Sequence, residues 1–140
     1  MNPGHPQEVL TVTAAEFRRM ALSLPETVEA SHMNHPDFRV GGRIFATLGY
    51  PGAGWGMVSL SHEEQTAYLT MKPLVFMPAK GAWGEAGATL VQLRQATKAA
   101  VRGALKSAWS LRAPERLVRP RPSTPVGRRR KGTPPRGRGR

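Results

Sequence analysis

H-P-D-F-R-V-G-G-R-I-F-A-T-L, residues His35–Leu48, is the stretch on which the fold turns. Phe38-Arg39-Val40 and Ile44-Phe45-Ala46-Thr47-Leu48 are short β-prone runs flanking Gly41-Gly42. Tight hairpin turns need positive φ at their central residues, which glycine adopts without steric cost, so this pattern predicts a β-hairpin. A two-residue turn places Phe38, Val40 and Phe45 on one face, whereas a three-residue loop aligns Phe38, Val40, Ile44, Ala46 and Leu48. In either register Arg39 points away from Phe38 and Val40, because side chains alternate along a strand.

Upstream, residues 1–12 read as a loose lead-in. Thr13-Ala14-Ala15-Glu16 then forms a capping-box pattern, followed by Phe17, Met20, Ala21 and Leu24 on one helical face and by Pro25 as a stop. A helix over Ala14–Leu24 is expected. Downstream, Gly49–Gly54 connects the hairpin to a strand over Trp55–Leu60. Ser61-His62-Glu63-Glu64 repeats the capping signature and starts a helix through about Leu69, which Pro73 closes. A strand over Leu74–Met77, a Gly-rich loop over Pro78–Gly87 and a strand over Ala88–Leu93 follow. The final helix, Lys98–Leu111, is capped by Thr97 and aligns Val101, Leu105, Ala108 and Trp109, with Pro114 marking the end of the domain at about residue 118. Helices interspersed with short alternating strands make an α+β domain with a mostly antiparallel sheet, over residues 13–118. There is no internal repeat.

Charge is distributed unevenly. The chain has 21 Lys and Arg against 9 Asp and Glu, and Arg119–Arg140 holds nine of those bases and no acid. That segment has five Pro, four Gly, no aromatic residue and a single aliphatic one, Val126. It lacks the apolar surface to offset the entropy of ordering, so a disordered basic arm is expected. Each Lys or Arg set against a phosphate releases a condensed counterion, which makes such an arm suited to a polyanion. With no cysteine, a disulfide framework, a thiolate zinc site and a Cys nucleophile are excluded. The N-terminal residues have no secretory pattern and no apolar run is long enough to span a bilayer, so a soluble cytoplasmic protein without a membrane partner is expected.

Three separated blocks carry a family resemblance: His35–Ala46, Gly81–Leu93 and A-W-S-L-R-A-P-E-R-L over Ala108–Leu117. Together they resemble the MmcQ/YjbR family across roughly Ala15–Leu117. The resemblance implies a compact α+β domain similar to the CyaY-like (bacterial frataxin) fold. It also implies DNA binding through a "double wing" of projecting strands and loops. The chain departs from the family pattern in its Arg119–Arg140 extension and in a final helix without acidic residues.

On that helix Lys98, Arg102 and Lys106 recur at i+4, with Arg94 just upstream. Like charges at this spacing repel, and Lys98 lies at the positive end of the helix dipole, so a polyanion facing them would be stabilising. A solvated face is the alternative. Arg43 and Lys80 stand near loop tips as further candidate phosphate contacts, as do Arg128, Arg129, Arg130, Lys131, Arg136, Arg138 and Arg140 of the basic arm. Trp55 and Trp83, beside the Gly-rich loops, read as caps on the core rather than as stacking platforms. His32 and His35, even joined by Glu29 or Asp37, lack a third well-spaced ligand, so no metal is expected. No G-x-S-x-G, P-loop, H-E-x-x-H or G-x-G-x-x-G occurs, so neither an enzyme nor a cofactor is expected. The reading reached is a protein that binds nucleic acid, DNA ahead of RNA, through non-specific phosphate contacts. Two alternatives stand beside it: an interaction or small-ligand domain localised by its basic arm, and an enzyme using a cleft near His32 and His35.

Overall fold

Residues 11–118 are described by the structure, a computed structural model. The first helix, α1, spans Ala14–Leu22, and its start is the capping box read from the sequence. Thr13 Oγ1 accepts from the Glu16 N–H while Glu16 Oε1 accepts from the Thr13 N–H, each at 3.0 Å. The lead-in is tighter than expected at its end. Thr11 and Val12 donate their N–H groups to the carbonyls of Ala96 and Leu93, and Val12 is buried.

The strands β1 (Val28–His32), β2 (His35–Val40), β3 (Arg43–Leu48) and β4 (Trp55–Ser59) form an antiparallel meander. The segment holding the two histidines is itself a hairpin. His32 pairs with His35 across Met33-Asn34, both at positive φ. After α2 (His62–Met71), the short β5 (Phe76–Pro78) and β6 (Ala88–Gln92) complete one six-stranded sheet in the order β1-β2-β3-β4-β6-β5, antiparallel throughout. Inside the segment expected as a Gly-rich loop the chain makes a short helix, α3 (Gly81–Glu85). α4 (Lys98–Arg112) follows a 3-10 turn at Leu93–Gln95, and α5 (Glu115–Val118) continues past the expected stop at Pro114.

The central hairpin combines both registers. Its turn has two residues, Gly41-Gly42 at φ +60° and +79°, with Val40 opposite Arg43. A bulge then shifts the register, because Arg39 faces Ile44 whereas Phe38 faces Ala46, so Phe45 is the extra residue on β3. Phe38, Val40, Phe45, Ala46 and Leu48 are all buried as a result. Ile44 goes to the other face with Arg39.

α1 and α4 pack on the inner face of the sheet. Phe17, Phe38, Phe45, Val91, Val101 and Leu105 are almost wholly removed from water there, each large side chain contributing about 1.5–3 kcal/mol. Gly56 of β4 allows the close fit, since a Cβ there would stand 2.8 Å from the Phe17 ring. Trp109 locks α4 to the chain after α1 by donating its indole N–H to the Pro25 carbonyl at 3.0 Å. The opposite face is only partly covered, by α3 and the loop after β3, and is left open to form the site.

Candidate functional site

Strand alternation sends Asp37 and Arg39 to the open face while Phe38 and Val40 enter the core, so a charge pair lies on the outer face of the hairpin. Asp37 is 0% exposed, yet it is fully partnered. Arg39 donates Nε–H to Oδ1 at 2.7 Å and a second N–H to Oδ2 at 3.0 Å, in a forked pair. His32 Nδ1 lies 2.7 Å from Oδ2. The Arg39 bonds hold the Asp37 carboxyl below the usual carboxylate range against the opposing effect of burial, and the His32 bond adds to them. An ionised carboxylate only accepts, so His32 Nδ1–H is the donor in this bond and Nε2 is not used by Asp37.

Next to this triad the open face is hollowed into a cleft of about 480 Å³. Its floor is Ile44 and Thr47 of β3 with Met57 and Ser59 of β4. One wall is an aromatic row, in which His35 meets Tyr50 at 5.8 Å and Tyr50 meets Trp83 at 6.2 Å, both edge to face. The two Gly-rich loops, far apart in sequence, thus converge through Tyr50 and Trp83. Trp83 does not cap the core as expected; it is 59% exposed and borders the cleft. Gln65, buried on α2, positions it by donating Nε2–H to the Gly84 carbonyl at 3.0 Å, which fixes α3. Met33 at the turn after β1 and Arg112 at the end of α4 complete the rim. Among the described residues, no Asp or Glu lines this cleft. Nor does any group of three His, Asp or Glu side chains suited to a metal ion occur among the described residues.

The cations singled out from the sequence are separated by the fold. Lys98, Arg102 and Lys106 are exposed along one line of α4, with Arg94 exposed in the turn before it. Lys98 is compensated after all: its Nζ lies 3.1 Å from Glu16 Oε2 of α1, a carboxylate the helix sequence alone does not reveal. The Thr13 N–H, followed by Lys98, holds Glu16 below the usual carboxylate range. The other acids near α1 and β1 are also occupied, Glu29 by Arg18 and Glu26 by Arg116. Arg94, Arg102 and Lys106 form no ion pair among the described residues. Sequence reasoning missed Lys72, which the end of α2 brings to α4 across a shallow groove shared with Thr97, Ala99 and Gly103. Arg43 is exposed at the central hairpin tip, and Lys80 is exposed at the start of α3 beside the cleft. Arg128, Arg129, Arg130, Lys131, Arg136, Arg138 and Arg140 lie outside the described residues. Asp37, weighed from the sequence as a metal ligand beside the histidines, is instead the acceptor of Arg39 and His32, and the D-F-R-V alternation signals its pairing with Arg39. Arg112 was missed, and nothing in the sequence places it at the cleft.

No helix among the described residues is long and apolar enough to cross a membrane. No curated protein matches the chain. Among solved structures it is similar to Deinococcus radiodurans protein DR2400, a DUF419 domain protein, with a TM-score of 0.61 and 14% identity over 75% of this chain and 81% of that one. That likeness shows a shared fold. The YjbR family model matches residues 22–111, from the end of α1 nearly to the end of α4, and the chain therefore belongs to the YjbR family.

Proposed function

We propose that this protein binds nucleic acid through its phosphates, DNA ahead of RNA. The supporting observation is the uncompensated basic surface of α4: Arg102 and Lys106 are exposed, have no acidic partner among the described residues, and gain Lys72 from α2 and Arg94 from the preceding turn. At 1.5 Å per residue, Arg102 and Lys106 stand about 6 Å apart along a rigid helix. Such an array needs no rearrangement to meet a phosphate backbone, and the nine cations of Arg119–Arg140 add counterion release. Phosphate contacts carry no base information, so binding is non-specific.

The test is a triple variant, Lys72→Gln, Arg102→Gln and Lys106→Gln, titrated against duplex DNA and single-stranded RNA over a salt series. Glutamine keeps helix propensity while removing charge. Each lost duplex phosphate contact flattens the slope of log K against log salt by about 0.9, so the variant should be weaker at low salt and shallower by up to about 3 units. Unchanged affinity and slope would return α4 to a solvated face. Tighter binding to RNA than to duplex would reassign the partner.

A further inference from the structure

The open-face cleft lies across the sheet from the exposed Lys98–Lys106 line of α4, with Arg112 at the helix end reaching its rim, and plays no part in the nucleic-acid reading. We infer that it is a binding site for a small aromatic acid, a ligand with one flat ring system and one carboxylate.

Its chemistry selects against other classes. The floor and wall present Ile44, Met57, Tyr50 and Trp83, and the rim presents Met33, 81% exposed. Ring edges and thioether sulfurs favour an aromatic body over an aliphatic one. The polar groups on the lining are hydroxyls, imidazoles and the Arg112 guanidinium, with no carboxylate among them. A cationic ligand would find no carboxylate on the lining and would have the Arg112 charge against it, whereas an anion finds a forked donor in Arg112. Asp37, behind His32 at the cleft edge, is buried and spends both oxygens on Arg39 and His32. It therefore repels little at the surface and instead fixes the His32 ring at the cleft edge. A pocket that is mostly apolar with a few convergent polar groups is the usual form of a small-molecule site.

The three tryptophans make the test site-specific. Trp83 borders the cleft, Trp109 is buried with its N–H bound to Pro25, and Trp55 lies on a separate groove beside Leu93. Full-length protein with 15N-labelled indoles would be titrated with 2-naphthoate, 2-naphthalenemethanol and 2-naphthylmethylamine. The expected result is a saturable 2-naphthoate shift of the Trp83 indole signal, with Trp109 unmoved and the alcohol and amine at least ten-fold weaker. Arg112→Gln should weaken naphthoate at least ten-fold while leaving the weak binding of the alcohol unchanged. The inference is overturned if the alcohol binds as tightly as the acid. It is equally overturned if Trp55 or Trp109 responds instead of Trp83, or if Arg112→Gln leaves naphthoate affinity intact. The probe comparison on the native chain keeps the test decisive should that variant fold poorly.

Discussion

Asp37 is the only fully buried charged residue among those described, and its environment explains why it is tolerated. Burying an unpaired carboxylate is prohibitive, but three donor contacts from Arg39 and His32 replace its hydration. Asp37→Ala should destabilise the protein by about 3 kcal/mol, the low end of what breaking a buried pair costs. The cost stays low because Arg39 and His32 remain 32% and 38% exposed and can recover water. Urea titration at pH 7 measures it, and a loss below about 1 kcal/mol would show the pair to be idle. The carboxyl is held below its unfolded value, so its contribution is present above that value and is lost as pH falls through the lower folded one. Asp37→Asn should therefore flatten the decline in stability between neutral and acid pH. An unchanged acid profile would mean that other carboxylates govern the decline. At the same scale, the Lys98–Glu16 contact shows how one residue from a neighbouring helix removes a candidate that looked free in its own helix.

At the scale of elements, α3 and its flanking turn decide whether the open face has a cleft or a flat surface. Gly87 follows α3 at φ +110°, and a Cβ there would collide with the Leu60 carbonyl oxygen. Side chains do not adopt that conformation readily, and the clash is with backbone that cannot move aside. Gly87→Ala should cost about 2–3 kcal/mol and displace α3, so its thermal midpoint should fall and the Trp83 indole signal should shift even without ligand. A variant with native midpoint and native Trp83 signal would show that the turn relaxes freely. The buried Gln65 bonds to Gly84 and Thr89 tie the same turn to α2, so α2 helps hold the aromatic wall in place. The short length of α3, five residues, hid it from a pattern reading that looks for an apolar stripe.

Across the whole molecule, the two candidate surfaces lie on opposite sides of one sheet and differ in kind. The α4 side carries exposed cations; the other is an aromatic-walled cleft. The basic segment Arg119–Arg140 adds nine cations to a remainder carrying twelve bases and nine acids. If about four of those nine cations meet phosphate at once, deleting the segment should flatten the salt dependence of duplex binding by about 3 to 4 units. Identical slopes for full-length and shortened chains would make the segment a bystander. Binding by the shortened chain should still weaken on the Lys72, Arg102 and Lys106 substitutions, which separates the contribution of the helix from that of the segment.

Local signals were sufficient for most of the fold. Thr13, Ser61 and Thr97 each accept from a backbone N–H three residues on, as their capping patterns predict, because a cap depends only on near neighbours. The hairpin at Gly41-Gly42, the final helix, the antiparallel α+β class and the family itself were likewise legible in the residues. The exact register was not, because a bulge at Phe45 trades one local pairing for burial of Phe38, Phe45 and Leu48 together, and that balance exists only once α4 packs on the sheet. For the same reason sequence alone could single out exposed cations but not their partners. Glu16 beside Lys98, Lys72 beside α4, and His35, Tyr50 and Trp83 in one wall are contacts between segments distant along the chain. Sequence determined which segments form; only their tertiary packing decided which side chains share a site.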